Sequence, residues 1–337
     1  MLRKLEGLLP YQKVLVTGGC GFLGGHIVPY LLERGHKVTV LDDLSTGTLS
    51  NIPQEHPNLT FIQGSVLDLE LVQEYAHNKD LIIHLASTVG MELVYSRPNE
   101  SYIISKTGTE NMLSTPSHIP IVLFSSSAVY GQTSLSQVAE HHSVTLDDAL
   151  SYDGDVFGYA VGKWELENLG NLAMEKGRQV MIIRPFNVVG TGQSSAYGMV
   201  VPKFIKKALV GDPIVVYDDG DQSRSFTCAE TFTYCLYKLM SNQRAWEYPQ
   251  NIINIGADQS TTINELAKIV KEESNSYSKI EYLAYNKVFP KKKDVRHRRP
   301  DLGLLHELVG EEIEWPTIQN IVSRMVAYHS QNQVIAV

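Results

Sequence analysis

Cysteine is scarce: Cys20, Cys228 and Cys235 are the only three in 337 residues. An odd, low count supplies no disulfide framework and fits a reducing compartment. None stands at metal-ligand spacing from a second Cys or His, so no metal site is expected. Cys228 and Cys235, seven apart, read as two buried thiols of one helical region. No run of 18 apolar residues exists, so no membrane span is expected. Between Met1 and Lys13 the apolar stretches before Pro10 are too short for a secretory leader. Basic excess is also lacking. Lys and Arg number 29 against 37 Asp and Glu, a formal net charge of −8. That balance argues against nucleic acid as a partner, because phosphate backbones reward basic surfaces. A local basic run, Lys291-Lys292-Lys293 through Arg299, stands against the average. There is no internal repeat and no low-complexity segment. What remains is 43% apolar and 20% charged, enough to bury a sizeable core in a soluble, cytoplasmic chain.

Val14-Leu15-Val16-Thr17 is a short apolar run ending in Gly18-Gly19 and reads as a buried parallel strand. Phe22, Leu23, Ile27, Val28, Leu31 and Leu32 recur with helical spacing, and Gly35 closes that helix. Further strands are expected at Lys37–Leu41, Leu59–Phe61, Leu81–Leu85, Ile119–Phe124 and Val180–Ile183, with helical patterns between them such as Thr107 to Leu113. This alternation specifies an α/β fold, a doubly wound parallel sheet covered on both faces with right-handed crossovers. After Pro185 glycine and proline punctuate loops, and helices are expected at Val201–Val210, Thr231–Met240, Ile263–Glu273 and Ile318–His329. The division expected is residues 1–186 as a dinucleotide-binding domain and 187–337 as a smaller, mostly helical substrate domain, with segments such as Ile252–Ile255 returning to the first.

Gly18, Gly21 and Gly24 follow the first strand and open the first helix. Glycines there permit a tight turn and let a pyrophosphate approach the helix N-terminus. A bare glycine triplet fits a plain strand-helix turn equally well; Asp42, at the end of the second strand, adds specificity. A carboxylate there can accept both adenosine ribose hydroxyls and would repel a 2′-phosphate, which favours NAD over NADP.

A Tyr-x3-Lys pair places both side chains on one helix face, where the ammonium stabilises a phenolate able to act as base. The pattern occurs at Tyr75/Lys79, Tyr102/Lys106, Tyr159/Lys163 and Tyr234/Lys238, so at least some matches are plain surface pairs. Tyr159 is distinguished by what precedes it: Phe124 runs into Ser125-Ser126-Ser127, three hydroxyls at a strand's carboxyl end, where ligands of open parallel sheets bind. Alone those serines read as a turn with local hydrogen bonds; with Tyr159 and Lys163 they read as a hydroxyl-binding cluster.

Gly18-Gly19-Cys20-Gly21-Phe22-Leu23-Gly24, His84-Leu85-Ala86-Ser87, Ser125 through Gly131, Tyr159-Ala160-Val161-Gly162-Lys163 and Arg184-Pro185-Phe186-Asn187-Val188-Val189-Gly190 appear in one order. In that order the chain, from about Lys13 to His329, resembles the extended short-chain dehydrogenase/reductase family and its nucleotide-sugar epimerases, dehydratases and decarboxylases, with a Rossmann domain. The resemblance implies Tyr159 as catalytic base, tuned by Lys163, with Ser126 holding the reacting oxygen and Ser127 assisting. It implies NAD held by Gly18, Gly21, Phe22, Leu23, Asp42, Val66, Leu85, Ala86, Ser87, Tyr159, Lys163 and Pro185. It implies a UDP-linked sugar held by Asn187, by Val201, Phe204 and Tyr217 around the base, by Arg224 at the diphosphate, and by Arg298 within a closing arginine-aspartate segment, Asp294 to Asp301. Ser105 departs from the family's usual asparagine. The resemblance also implies a homodimer through the segments near Leu93–Met112 and Tyr159–Met174.

All reactions of the group begin alike, Tyr159 taking the sugar 4-hydroxyl proton as hydride leaves C4 for NAD. A 4,6-dehydratase of the usual kind has Asp-Glu after the catalytic hydroxyl, where this chain has Ser127-Ala128. A glucuronate decarboxylase usually has Glu at the position of Ala128 and an arginine at that of Arg298; one is absent, the other present. A 4-epimerase needs only Ser, Tyr and Lys and room for the keto intermediate to turn over. The expected activity is therefore NAD-dependent 4-epimerisation of a UDP-hexose, with UDP-glucuronate decarboxylation as the alternative and 4,6-dehydration behind it. A non-catalytic NAD-sensing regulator is the alternative of another class, and the intact Ser126, Tyr159 and Lys163 speak against it.

Overall fold

The computed structural model describes residues 9–247, 251–290 and 294–334. Lys291, Lys292 and Lys293 of the basic run, and the first eight residues of the N-terminal reading, lie outside the described residues. Six parallel strands alternate with helices in the first half of the chain: β1 (Lys13–Thr17), β2 (Lys37–Asp42), β3 (Leu59–Gln63), β4 (Leu81–His84), β5 (Ile121–Phe124) and β6 (Val180–Pro185). The helices between them are α1 (Phe22–Glu33), α2 (Leu69–Ala76), α3 (Met91–Ser96), α4 (Pro98–Leu113), α5 (Leu146–Asp153) and α6 (Tyr159–Glu175). A seventh strand, Ile252–Ile255, returns from the second half and pairs in parallel with β6. Across the sheet the order is Ile252–Ile255, β6, β5, β4, β1, β2, β3.

The strands read as unbroken apolar runs because both faces are covered. Val14 and Val16 of β1 pack into the layer formed with α1 and α8 (Ala229–Ser241), whereas Leu15 between them packs into the layer formed with α2, α4 and α6. The same alternation separates Leu81 and Ile83 from Ile82, Val122 from Leu123, and Met181 and Ile183 from Ile182. α4 begins well before the expected Thr107, because Pro98 occupies the first helical position, where its missing N–H costs nothing.

A second core forms beyond Pro185. α7 (Val200–Val210) and the helices Ile263–Glu273 and Ile318–Val334 surround the strand Ile214–Tyr217, through Val201, Phe204, Ile205, Val216, Leu266, Val270, Ile321 and Met325. This half is less helical than expected. Ile214–Tyr217 pairs in parallel with Ile280–Leu283, and the short strand Ser223–Arg224 lies between Thr261–Thr262 and His297–Arg298. Cys228 and Cys235 sit at the cap and within α8 as buried free thiols, as expected.

One buried ion pair ties the sheet to the helix behind the serine cluster. Arg184 of β6 donates from Nε and Nη2 to the two oxygens of Glu167 on α6 at 2.8 and 2.7 Å. Ser125 adds a bond to Glu167 Oε1 at 2.5 Å. Arg184 Nη1 donates at 2.8 Å to the Tyr130 hydroxyl, which donates at 2.9 Å to Asn254 of the returning strand. Both charges are almost fully buried, 3% and 5% exposed, so removing one leaves the other unpaired in the interior. Glu167→Ala is expected to lower unfolding free energy by roughly 3–5 kcal/mol, read from the urea midpoint; a loss no larger than a surface pair gives would show the network to be dispensable.

Candidate active site

The sheet order reverses between β1 and β4, and the crevice beyond the carboxyl ends of these strands is where open α/β sheets bind ligands. There the backbones approach closely. Gly18, at φ +68°, ends β1, and a β-carbon on it would lie 2.7 Å from the amide nitrogen of Ala86 beyond β4. Gly24 seats α1 on the loop: a β-carbon there would lie 2.3 Å from the Gly19 carbonyl oxygen. Gly21 caps α1 without a side chain, and a β-carbon on it would meet little but the Gly18 carbonyl oxygen. Glycine here keeps open the space over the helix's first turn, where its amides favour an anion.

From this loop a cavity of about 1100 Å³ runs between the two cores. At the loop end, Asp42 is held by two backbone amides, Cys20 N to Oδ2 at 2.9 Å and Leu44 N to Oδ1 at 2.8 Å. Burial raises its pKa, and those two amides work against the rise. Phe22, Leu23, Val66, Leu85, Ala86, Ser87 and Pro185 complete the wall around the loop. An open cradle over a helix N-terminus, with a fixed carboxylate at the second strand, fits the pyrophosphate and ribose of a dinucleotide.

In the cavity, Tyr159 opens α6, and Ser126 lies two residues beyond the end of β5, where its hydroxyl accepts from Ala128 N at 3.1 Å. Lys163 stands one turn further along, its Nζ 5.8 Å from the Tyr159 ring centroid and donating to the Phe124 carbonyl at 2.6 Å. Burial acts on the two in opposite senses, pushing the phenol up to about 12 and the ammonium down to about 7, because it penalises whichever form is charged. His84, fully buried, is pushed down to about 3, first by burial and then by the charge of Lys163, and Thr17 Oγ1 meets its Nδ1 at 2.7 Å. A neutral imidazole thus backs the lysine. Ser127 lines the cavity beside Ser126, whereas the Ser125 hydroxyl is committed to Glu167.

The other three Tyr-x3-Lys pairs lie elsewhere: Lys79, four residues after Tyr75, donates to Thr39 Oγ1 at 3.0 Å. Lys106 pairs with Glu110 and Tyr102 packs on Phe157; the Tyr234 hydroxyl donates to Glu311. Ser105, in place of the expected asparagine, is buried where α4 meets α6, its hydroxyl 3.4 Å from that of Ser87. A β-carbon on Gly162 would lie 2.8 Å from that of Ser105, so small residues allow the two helices to touch.

Towards the second core the cavity is lined by Asn187, Val201, Phe204, Tyr217, Arg224 and Arg298. Asn187, at φ +35°, donates from its side chain to the Ser225 carbonyl at 3.1 Å. Arg224 is ion-paired with Asp294 at 2.6 Å and donates to the Val295 carbonyl. Arg298 is the register partner of Arg224 in the small sheet and is buried. Burial lowers its pKa to about 10, so it stays charged at neutral pH. The basic segment does not act as one unit. Strand alternation turns Arg299 out towards Gln137, and Arg296 lies at the surface paired with Asp219; of the arginines from 296 to 299 only Arg298 lines the cavity.

Several lining residues had no sequence signal. Tyr152, from the last turn of α5, carries the Arg298 guanidinium 5.2 Å from its ring centroid. Glu92 of α3 and Lys203 of α7 pair at 2.7 Å across the cavity. None of these belongs to a motif, and only their folding onto one cavity brings them together. Among the described residues no group of His, Cys, Asp and Glu could hold a metal ion, and no helix is long and apolar enough to cross a membrane.

The family model described as "NAD dependent epimerase/dehydratase family" matches residues 14–256. UDP-N-acetyl-alpha-D-glucosaminuronate decarboxylase of Bacillus cytotoxicus is 30% identical over 304 residues, covering 88% of this chain and 91% of that protein. UDP-glucuronic acid decarboxylase 1 of Danio rerio is 29% identical over 336 residues, covering 96% and 76%. The solved UDP-N-acetylglucosamine 4-epimerase of Methanobrevibacter ruminantium, in complex with UDP-N-acetylmuramic acid, superposes with a TM-score of 0.82 at 25% identity, covering 95% of this chain and 99% of that one. With the family matched over most of its length and a site built to suit, this chain is an enzyme of the NAD-dependent epimerase/dehydratase family, and its cofactor is NAD.

Proposed function

We propose that the chain is a 4-epimerase of a UDP-linked sugar. The observation that carries this reading is Ser126, Tyr159 and Lys163 lining one cavity, with Lys163 one helical turn beyond Tyr159, where Ser127 and Ala128 stand at the positions an elimination carboxylate would need. Tyr159 takes the 4-hydroxyl proton, the Lys163 ammonium stabilises the phenolate, and Ser126 fixes the reacting oxygen with Ser127 beside it. NAD, when bound, supplies the oxidising equivalent at C4. The 4-keto sugar then turns its other face to the site, where C4 would recover the hydride from the reduced cofactor as its oxygen takes the proton back from Tyr159.

In this reading residues 1–186 hold the cofactor. Gly18, Gly21, Phe22 and Leu23 take the pyrophosphate, Asp42 the adenosine ribose, Val66 the adenine side, and Leu85, Ala86, Ser87 and Pro185 the nicotinamide side. Residues 187–337 hold the sugar nucleotide, with Val201, Phe204 and Tyr217 around the base and Asn187 and Arg224 at the diphosphate. A diphosphate would compete with Asp294 for Arg224. Two chains would pair through α4 and α6, where Ile103 and Leu172 are exposed.

A second reading, decarboxylation of a UDP-uronic acid, is favoured by Arg298, a buried cation in the cavity, and by the decarboxylase names of the relatives. Oxidation at C4 of a uronate makes a β-keto acid, which loses carbon dioxide readily without a dedicated base.

Incubation with UDP-glucose, UDP-N-acetylglucosamine and UDP-glucuronate should yield the 4-epimer of at least one; a UDP-pentose with released carbon dioxide would establish the second reading instead. Tyr159→Phe should lower turnover by about 10²–10⁴-fold, and full turnover in that variant on every sugar would remove Tyr159 as the base. Lys163 gives a separate test. Its folded pKa of about 7 lies below the ordinary 10.5, so the unfolded chain binds its proton more tightly. The resulting penalty on the cofactor-free fold is complete below about pH 7 and fades as pH rises to 10.5. Lys163→Met should therefore raise the melting temperature of the cofactor-free protein at pH 7, by a margin that closes towards pH 10.5, while abolishing turnover.

A further inference from the structure

Helix α5 is fastened into the site at both ends. Its first turn is closed by a capping box between Thr145 and Asp148. The Asp148 carbonyl oxygen lies where a β-carbon on Gly131 would approach to 2.2 Å, and Ser151 Oγ accepts from Gln132 N at 3.0 Å, so α5 is pressed onto the loop that follows Ser126. At the other end Gly154, at φ +75°, stops the helix, and the buried Asp153 carboxylate accepts from Val161 N at 3.0 Å in the first turn of α6. Tyr152 lies between these ties. It lines the cavity, its hydroxyl meets Met91 Sδ at 3.7 Å, and its ring faces the Arg298 guanidinium.

Arg298 is poorly compensated for a buried cation. It is 5% exposed, donates from Nη2 to the Gly131 carbonyl at 2.6 Å, and its Nε has no hydrogen-bond partner. The Asp294 carboxylate nearby is already held by Arg224. A buried guanidinium short of partners is costly unless something supplies them. The planar fork suits a carboxylate, and the aromatic face of Tyr152 limits where that fork can lie.

We propose that Tyr152 is a positioning residue that sets substrate choice: by holding Arg298 in place it makes the site select nucleoside diphosphate sugars that carry a carboxylate over their neutral counterparts. The proposal rests on the Tyr159-centred reading for the placement of the sugar. It holds whether the oxidised sugar is epimerised or decarboxylated, and it assigns a role to a residue that no motif marks.

The test is a set of dissociation constants for UDP-glucuronate and UDP-glucose, measured by calorimetry on the NAD-loaded protein in a Tyr159→Phe background, so that bound sugar is not turned over. The protein with Tyr152 and Arg298 intact should prefer the uronate, and Arg298→Met should abolish the preference. Tyr152→Leu should cut it by about tenfold, the worth of a desolvated cation–π contact. Tyr152→Phe keeps the ring face and should retain the preference within about twofold. Melting temperatures and bound NAD identify any variant that has lost its fold. The proposal is overturned if the intact site shows no preference for the uronate, if Tyr152→Leu weakens both sugars equally, or if Tyr152→Phe behaves like Tyr152→Leu. Failure of the underlying reading appears separately, as turnover retained by Tyr159→Phe.

Discussion

The carboxyl ends of β1 and β4 meet where only a residue without a β-carbon fits. Gly18 lies against Ala86 so closely that any side chain would drive the two strand ends apart. That contact lies where the strand order reverses in an all-parallel sheet, and the cavity opens above it. Everything functional is hung around it. α1 starts from the loop Gly18 begins, β2 delivers Asp42 to the same loop, β4 continues into the wall of Leu85, Ala86 and Ser87, and β5, the next strand over, ends in the serines.

Burial then sets the chemistry. Lys163 is buried and Tyr159 half-buried, and desolvation favours a protonated phenol and a neutral amine. Lys163, lowered to about 7, lies between its charged and neutral forms at neutral pH, so each charge added to the cavity shifts that balance. His84, kept neutral beneath Lys163, adds no competing charge. The interior elsewhere handles charge differently. Arg184 and Glu167 satisfy each other with two parallel hydrogen bonds, and Ser125, Tyr130 and Asn254 take up the remaining capacity. Arg298 is the contrast: buried, charged, leaning on an aromatic ring, and left with an unpaired nitrogen on the cavity wall.

The second core contributes by position more than by composition. The register that places Arg298 opposite Arg224 turns both towards the cavity and sends Arg299 outward. A basic segment that is continuous in the chain is therefore divided, one arginine inside and its neighbours at the surface with Asp219 and Gln137.

The sequence by itself determined the sheet, its first helix, the return of Ile252–Ile255 and the cluster of Ser126, Tyr159 and Lys163. These depend on local rules: apolar runs for strands buried on both faces, glycines where backbones must touch, and a helical turn that sets phenol and amine on one side. It also determined that no carboxylate stands at position 127 or 128, directly after Ser126. Only the tertiary structure decided which serine serves the core and that Tyr152 stands against Arg298. Those outcomes turn on which surfaces of distant segments are brought together, here α5 against the loop after Ser126 and one short strand against another. No spacing along the chain encodes a distance between residues 146 apart that meet across a cavity.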